Sequence, residues 1–344
     1  MTLGESKIWQ DDLARAAQAV GGIGGGRVFL VTGASGLIGS ALVDLLLFLR
    51  RTRGRGPEVL AAGRDIVRLE RRFGRQDGLG FLAFDANRPP AALPEADVII
   101  HAASPASPDL YMTDPCGTIG AAVDGVRRLL DHARDQGERV LYISSSEVYG
   151  RRTGTGPAKE DDFGAVDPLN PRLCYAEAKR AAEALCTAYS TQYGVRTSIV
   201  RPGHIYGPTA SASDRRVSSD FAFRAARGEP LVLKSTGAQL RSYCHCLDAA
   251  TAILAVLDRG ADGAAYNISN PDSVITVRRM AELLAAAGGV PLGTAAPTAA
   301  ETAAFNPMDD SSLDASRLIG LGWHGVFPAA EGLARTVLAL RDVL

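Results

Sequence analysis

At 344 residues the chain has room for one large α/β domain or for two fused lobes. Hydrophobic residues make up 46% and charged residues 22% of the sequence, which supplies a core and excludes a disordered chain. The formal net charge of −1 gives no general attraction to nucleic acid or to an anionic membrane, so we predict neither as a partner.

The cysteines and the N-terminal residues predict a protein of the reducing cytoplasm. The five cysteines, an odd number, do not form the pattern of a disulfide framework. Cys244-His245-Cys246 contains potential zinc ligands, but no second ligand pair follows at a zinc spacing, so we predict no metal site. Residues 1–10 carry an acid and lack an apolar core, which argues against a signal peptide.

The first half of the chain repeats a short apolar run, a glycine or polar break, and a helical stretch. Runs that are apolar throughout are typical of strands buried on both faces of a parallel sheet. Strands that alternate with helices imply right-handed crossovers, so we predict an α/β fold with a Rossmann-type doubly wound parallel sheet. The predicted strands are 28–31, 58–62, 81–84, 97–100, 140–143 and 196–200.

Beyond about residue 202, glycine, proline and serine become frequent and the helices shorten. We predict helices at 217–227, 249–259 and 277–287, a loop at 288–301, and a smaller lobe without a core of its own. The predicted organisation has three parts: an N-terminal extension (1–26), a dinucleotide-binding core with the catalytic residues (27–202), and a mainly substrate-binding lobe (203–344).

A glycine pattern follows the first strand and opens a helix. The glycines allow a tight turn, close approach of a pyrophosphate to the backbone, and close packing of helix on strand. The anion would lie at the positive end of the helix dipole. Residues 28–49 are apolar enough to suggest a membrane span, but a strand, a turn and a helix explain them better. We predict a dinucleotide site formed by Gly33, Ser35, Gly36, Leu37, Ile38 and Gly39.

Tyr175 and Lys179 form a Tyr-x-x-x-Lys motif in a strong helical stretch, 175–193. Residues four apart lie on one helical face, so the ammonium can lie near the phenol. An isolated tyrosine has a pKa of about 10. A neighbouring cation, joined by the positive nicotinamide ring, would lower that pKa and make the phenolate a base near neutral pH.

A serine-rich segment, Ser144 to Gly150, ends the fifth strand at the edge where α/β sheets bind ligands. Its Glu147 follows an apolar strand, where a carboxylate normally avoids burial unless it has a partner or a task. We predict that Glu147 moves a proton during catalysis.

The glycine spacing and the Tyr175–Lys179 motif resemble those of the extended short-chain dehydrogenases/reductases, the NAD-dependent epimerase/dehydratase family. The resemblance implies that Ser145 hydrogen-bonds the reacting sugar hydroxyl. It also implies a homodimer formed by helices 118–137 and 175–193, with a small-residue surface of Ala181, Ala182, Ala184, Leu185 and Ala188.

The same resemblance implies a bound NAD, which Tyr175 and Lys179 would also contact. Asp85 matches the residue on the adenine, and Ala102 and Ala103 match the turn beside the cofactor. After the second strand, Arg64 is suited to a 2′-phosphate and Asp65 to a ribose hydroxyl, so NADP stays open as an alternative.

From about residue 27 onward the chain resembles UDP-glucuronate decarboxylases in particular. The segments that carry this resemblance are Ala103 to Pro108, Ser146-Glu147, Cys174 to Arg180, Gly228 to Leu231, and Leu321-Gly322-Trp323. It implies substrate contacts from Ser104, Ser146, His204, Arg216 and Arg241.

Three positions depart from that group, and all of them concern substrate recognition. His204 and Ala122 replace asparagines, and residues 309–312 lack the arginine that usually precedes the residue matched by Asp314.

The resemblance predicts an enzyme that oxidises C4 of a nucleotide-sugar transiently, with decarboxylation as the preferred reaction. Tyr175 would remove the C4-hydroxyl proton, Ser145 would polarise that oxygen, and Glu147 would assist proton return to C5 after carbon dioxide leaves. A 4-epimerase and a 4,6-dehydratase are the alternatives within the family. An NADPH-dependent ketoreductase and a non-catalytic dinucleotide-binding sensor are more remote.

Overall fold

The computed structural model describes residues 1–22, 26–54, 56–105, 108–298 and 308–344. Parts of three expectations lie outside the described residues: 23–25 of the N-terminal extension, 106–107 of the family motif, and the end of the predicted loop at 299–301. The strands are β1 (Val28–Thr32), β2 (Glu58–Gly63), β3 (Leu79–Ala83), β4 (Val98–His101), β5 (Arg139–Ile143), β6 (Thr197–Pro202), β7 (His204–Tyr206), β8 (Leu231–Leu233), β9 (Leu240–His245), β10 (Ala265–Ile268), β11 (Val274–Thr276), β12 (Leu292–Thr294) and β13 (Asp310–Ser311). The α-helices are α1 (Lys7–Gln18), α2 (Leu37–Arg53), α3 (Ile66–Phe73), α4 (Pro108–Thr113), α5 (Pro115–Gln136), α6 (Cys174–Tyr193), α7 (Val217–Ala226), α8 (Cys246–Arg259), α9 (Val277–Gly288), α10 (Ser316–Ile319) and α11 (Ala329–Arg341).

A parallel sheet of seven strands, in the order β10-β6-β5-β4-β1-β2-β3, forms the centre of the fold. Neighbouring residues of β1 face opposite sides: Leu30 packs towards α5 and α6, whereas Phe29 and Val31 pack towards α2 and α8. Because helices cover both faces, the strands are apolar throughout. The predicted Rossmann-type doubly wound sheet is confirmed, and the six predicted strands differ from the observed ones by one or two residues at their ends.

The chain returns to the central sheet after it has entered the second lobe. Helix α8 packs on α2, and β10 pairs in parallel with β6, with Ala265 opposite Ile199. Residues 246–268 are therefore part of the core, although they follow the predicted boundary at residue 202. The three-part division of the chain stays a prediction.

The second lobe contains an apolar cluster of its own, so the prediction that it lacks a core is wrong. Helices α7, α9 and α11 pack on one another, and their apolar faces meet between them rather than on the central sheet. Tyr206, Leu231, Met280 and Leu333 are buried in this cluster. The short strands β7, β11 and β13 pair with β9 and connect the lobe to the edge of the cofactor-binding core.

The N-terminal extension forms helix α1, which packs on α2 and α8. Trp9 is fully buried, and its indole N–H donates a hydrogen bond to Asp44 of α2 at 2.8 Å. On its other side α1 is bonded to the C-terminal helix α11: Arg15 pairs with Glu331 at 2.5 Å, and Asp12 pairs with Arg335. The extension thus connects the core to the second lobe.

Residues 28–49, the segment apolar enough to suggest a membrane span, form β1, the glycine turn and most of α2. No described helix is both long and apolar enough to cross a membrane. Within the described ranges, no group of three or more His, Cys, Asp or Glu side chains is arranged to hold a metal ion. Cys244 and Cys246 are buried free thiols.

Candidate active site

The loop between β1 and α2 is a backbone cradle that requires glycine. Gly33 has a φ of +67°, and a Cβ there would lie 2.6 Å from the carbonyl carbon of Ala102. A Cβ at Gly39 would collide with the carbonyl oxygen of Gly33, so the first turn of α2 packs directly on the loop. Gly36 is the N-cap of α2 and offers no side chain to its N–H groups. These free donors fit a pyrophosphate, so the residues present fit a dinucleotide.

The remaining predicted residues of this loop line the same turn. Ser35 and Ile38 are half-buried, and Leu37 is buried, with its carbonyl oxygen accepting a hydrogen bond from Thr209 at 2.7 Å. Thr209 follows β7, so this contact joins the glycine loop to the second lobe.

The ends of β1 and β4 bring Ala102 and Ala103 to the same edge of the sheet. Thr32 of β1 lies opposite His101 of β4. The N–H groups of Ala102 and Ala103 donate to the carbonyl and hydroxyl oxygens of Thr32 at 3.2 and 3.4 Å. The turn after β4 is therefore fixed against the glycine loop, as predicted for a cofactor site.

Arg64 and Asp65 follow β2 and differ in their contacts. Arg64 is exposed and has no hydrogen bond or ion pair with any residue in the described ranges. Asp65 is the N-cap of α3, and its Oδ1 accepts the N–H of Arg68 at 3.0 Å. Asp85, after β3, accepts the N–H of Asn87 at 3.0 Å. One oxygen of each aspartate is thus engaged in local structure.

Ser145, Tyr175 and Lys179 meet where β5 ends and α6 begins. The Oγ of Ser145 accepts the N–H of Glu147 at 3.2 Å, and the Ser145 side chain is near enough to the Tyr175 phenol to lower the pKa of that phenol. Tyr175 and Lys179 lie one turn apart on α6, and both are buried. The structure therefore brings together the three residues that sequence analysis placed in one catalytic group.

Lys179 is oriented differently from the expectation. Its Nζ donates a hydrogen bond to the carbonyl oxygen of Ile143 at 2.7 Å and lies 5.7 Å from the centroid of the Tyr175 ring. Burial lowers the pKa of Lys179 to about 7. The ammonium is bonded to the end of β5 because a buried charge needs an acceptor, and this carbonyl supplies it.

Tyr175 also departs from the expected electrostatics. Burial raises the pKa of Tyr175 to about 12, and the negative charge of Glu147 adds to the rise. The Ser145 side chain and the positive charge of Arg216 act in the opposite direction. In the protein alone, desolvation of the phenolate outweighs the nearby cations.

Glu147 lies beside this group and is held by Arg172. The Nη1 of Arg172 lies 3.3 Å from the Oε2 of Glu147. The Arg172 guanidinium lies 4.9 Å from the ring centroid of Tyr111, which in turn stacks on Tyr175 at 5.1 Å. Glu147 thus has the partner that a carboxylate at an apolar strand end requires.

His204 lies within reach of the charges of Arg216 and Arg241, and we call these three residues the positively charged wall. Burial, together with the charges of Arg241 and Arg216, lowers the pKa of His204 to about 3, so His204 is neutral. Arg216 pairs with Asp214, and the Nη1 of Arg241 donates to the carbonyl oxygen of Leu240 at 2.8 Å. Such a wall suits an anionic group of the substrate.

The positions of Ser104 and Ser146 in the protein do not by themselves indicate a contact with substrate. Ser104 is half-buried, and its hydroxyl donates to the carbonyl oxygen of Pro105 at 3.3 Å. Ser146 is buried at the start of the short helical turn that contains Glu147. Their predicted contacts with substrate stay predictions.

Comparison with known proteins identifies the family of this chain. Residues 29–269 match the model of a family described as the NAD dependent epimerase/dehydratase family. The chain belongs to this family. The predicted resemblance to it is confirmed.

Several curated relatives are UDP-glucuronic acid decarboxylases. UDP-glucuronic acid decarboxylase 1 of Xenopus tropicalis is 31% identical over 326 residues, which span 92% of this chain and 72% of that protein. UDP-glucuronic acid decarboxylase 5 of Arabidopsis thaliana is 36% identical over 249 residues, which span 70% of this chain and 69% of the relative. These are enzymes, as sequence analysis predicted for this chain.

Solved structures of the family have the same fold. The dTDP-glucose 4,6-dehydratase DesIV of Streptomyces venezuelae, with NAD bound, is 26% identical with a TM-score of 0.76, over 92% of this chain and 97% of that one. UDP-glucuronic acid 4-epimerase of Bacillus cereus, in complex with UDP-glucuronic acid and NAD, is 20% identical with a TM-score of 0.77, over 92% and 100%. The second likeness concerns the fold alone.

Sequence analysis gave Arg172 and Tyr111 no role in the site, although Tyr111 follows the segment 103–108 that carries the resemblance to UDP-glucuronate decarboxylases. Both act through contacts with residues distant in the chain, Glu147 and Tyr175, so no local spacing reveals them. The one signal available was the position of Arg172, three residues before Tyr175 and next to a proline that begins a helical turn.

Proposed function

We propose that the protein is an NAD-dependent enzyme that decarboxylates a UDP-glucuronate-like nucleotide-sugar through transient oxidation at C4. The observation that carries this proposal is the position of Glu147. Its carboxylate lies beside the group formed by Ser145 and Tyr175 and is paired with Arg172 at 3.3 Å. Chemistry confined to C4 does not require such a carboxylate, whereas proton transfer at C5 does. The names of the curated relatives support the same reaction.

The first step uses the group at the end of β5. Tyr175, as phenolate, accepts the proton of the C4 hydroxyl, while Ser145 holds the same oxygen by a hydrogen bond. NAD, when bound at the glycine loop, would supply a reversible acceptor for the hydrogen of C4, so that the sugar would undergo no net oxidation. A cation at the nicotinamide ring would offset the burial that raises the pKa of Tyr175.

The second step uses Glu147. A ketone at C4 accepts the electron pair of the C5–C6 bond when that bond breaks, so a C6 carboxylate leaves as carbon dioxide and an enolate remains. Glu147, in its acid form, then gives a proton to C5 and restores the C4 ketone. Reduction of that ketone, with the Tyr175 proton returned to the oxygen, completes the sequence.

The wall of His204, Arg216 and Arg241 would hold the nucleotide diphosphate. Two guanidinium groups beside a neutral imidazole offer several N–H donors to an anion, although Asp214 already engages part of the Arg216 guanidinium. In our proposal this wall fixes the nucleotide, so that the sugar extends towards Glu147 and Tyr175.

We also propose that the protein is a homodimer formed through α5 and α6. The two helices pack side by side, and Ala181, Ala184 and Ala188 of α6 are exposed, so another helix pair can approach closely. Ala182 is buried in the core cluster and takes no part in this surface, contrary to the predicted set. Light scattering that gives the mass of a single chain would overturn the dimer.

Free thiols at Cys116, Cys174, Cys186, Cys244 and Cys246 support a cytoplasmic location.

Mass spectrometry of products from a panel of nucleotide-sugars tests the proposed reaction. We expect UDP-glucuronate to lose carbon dioxide, and the product formed in deuterated water to carry deuterium at C5. Loss of water would instead indicate a 4,6-dehydratase, and a product of unchanged mass without deuterium at C5 would indicate a 4-epimerase. Either result would overturn the decarboxylase.

A further inference from the structure

Arg172 occupies a fixed position immediately before the catalytic helix. It lies in a short helical turn, Pro171–Leu173, whose preceding residue Asn170 accepts the N–H of Arg172 at 3.0 Å. The residue is only 9% exposed. A buried guanidinium needs a charged or aromatic partner, and Arg172 has one of each.

These partners connect Glu147 to Tyr175. Nη1 of Arg172 contacts Oε2 of Glu147 at 3.3 Å, and the guanidinium lies 4.9 Å from the centroid of the Tyr111 ring. Tyr111 is buried and stacks on Tyr175 with an angle of 17° between the rings. Glu147, Arg172, Tyr111 and Tyr175 therefore form one continuous row of contacts, and Arg172 cannot move without affecting Glu147.

The pairing treats the two oxygens of Glu147 differently. Oε2 is held by Arg172, whereas Oε1 has no hydrogen-bond partner among the residues that the structure describes. A carboxylate with one oxygen anchored and the other open is restricted in rotation but still able to exchange a proton. This is the property needed by a group that must deliver a proton to one carbon atom.

We infer that Arg172 is a positioning residue for Glu147, required for proton transfer at C5 and not for oxidation at C4. This inference rests on the proposed function. A merely structural Arg172 would, on loss, slow both steps together. If Arg172 positions Glu147, replacement of Arg172 slows the C5 step selectively, and it does so only in an enzyme that retains Glu147.

The experiment compares Arg172→Met, Arg172→Lys, Glu147→Gln and the double variant with the wild type, with UDP-glucuronate as substrate. Carbon dioxide release measures the C5 step, and the absorbance of reduced nicotinamide on mixing measures C4 oxidation. The matched control is Arg151→Met, which changes an exposed arginine beyond the end of β5. Thermal unfolding and cofactor content establish that each variant is folded.

We expect Arg172→Met to lower carbon dioxide release roughly 10- to 100-fold, the range for a lost charged hydrogen bond, while reduced nicotinamide accumulates. Arg172→Lys, which keeps the charge, should recover part of that loss. In the Glu147→Gln background, Arg172→Met should cause little further change, because the two residues act as a unit.

Equal slowing of both steps, or a double variant whose loss is the product of the single losses, would overturn the inference. If Arg172→Met does not fold, the test depends on Arg172→Lys alone. The inference would be overturned if this variant released carbon dioxide at the wild-type rate and accumulated no reduced nicotinamide. A wild-type enzyme that releases no carbon dioxide would overturn the proposed function and this inference with it. Wild-type release with an unaffected Arg172→Met would overturn the inference alone.

Discussion

The ammonium of Lys179 donates a hydrogen bond to the carbonyl oxygen of Ile143, the last residue of β5, at 2.7 Å. This bond ties the catalytic face of α6 to the strand that ends two residues before Ser145. Lys179 therefore holds the candidate catalytic group together, in addition to any charge that it would present to a cofactor.

The burial of Lys179 makes its contribution to stability depend on pH. Its pKa is lowered to about 7, whereas an exposed lysine titrates near about 10.4. Between these values the unfolded chain binds a proton that the folded chain does not, so stability rises with pH across this window. We expect the difference in unfolding free energy, Lys179→Met minus wild type, to be larger at about pH 6 than at about pH 9.5. Urea unfolding measures it, and Lys159→Met, at an exposed lysine, should show no such trend.

Tyr175→Phe should give a folded protein that retains cofactor but turns over roughly 10²–10⁴-fold more slowly, because only the general base is lost. Steady-state kinetics and cofactor absorbance measure the two properties. Tyr193→Phe, on the exposed end of the same helix, provides the control. Turnover near the wild-type rate would remove Tyr175 from the mechanism.

Arg216 should set the pH at which Tyr175 becomes a base. Its positive charge lowers the pKa of Tyr175, against the larger effect of burial, so Arg216→Gln should raise that pKa. The rate of C4 oxidation, measured in single turnovers at saturating substrate, should then require a higher pH. Arg215→Gln, next to it in the chain, is the matched control. An identical pH profile for Arg216→Gln and wild type would show that the charge does not reach the phenol.

Arg64 should affect the relative affinities for NAD and NADP only if the protein binds NADP with its 2′-phosphate at this residue. In the proposed cofactor site the glycine loop would contact a pyrophosphate through backbone groups, so Arg64→Ala should leave the affinity for NAD unchanged. If Arg64 receives a 2′-phosphate, the affinity for NADP should fall roughly 10- to 100-fold. Calorimetry with both cofactors measures this, and equal effects on the two would show that Arg64 faces solvent.

Trp9→Ala should destabilise the protein by about 3–5 kcal/mol, since it removes a fully buried ring. It also leaves Asp44 without its indole donor. The midpoint of denaturant unfolding measures the effect, and Gln10→Ala on the same helix should cost much less. A Trp9→Ala variant as stable as the wild type would show that α1 contributes little to the fold.

The sequence predicts the core of this protein well because its signals there are local. Buried parallel strands are apolar throughout, and the turn at Gly33 and Gly39 admits no other residue, so both are legible in a few consecutive letters. The strands of the second lobe are mostly three residues long, and their pairing partners are distant in the chain, so no periodicity marks them.

Within the site, residue types were easier to predict than their electrostatics. Tyr175 and Lys179 lie together as predicted. Burial, however, raises the pKa of Tyr175 and lowers the pKa of Lys179, whereas a phenolate base beside an ammonium cation would need the opposite shifts. Asp65 was matched to a ribose, but an aspartate before a helix is also a common N-cap, and its Oδ1 takes that role here. Both outcomes depend on tertiary surroundings that a spacing does not contain.

The return of the chain to the central sheet has a mechanical consequence for substrate entry. Core and lobe are joined at the single residue between β6 and β7, at the junction of β9 with α8, just after β10, and on both sides of residues 318–327, which pack on the core. These short, separated links leave little freedom for one body to swing away from the other, because a hinge would have to bend at all of them together. We expect small-angle scattering to give the same dimensions for the protein with and without a nucleotide-sugar, and the substrate to enter through a cleft that is already open.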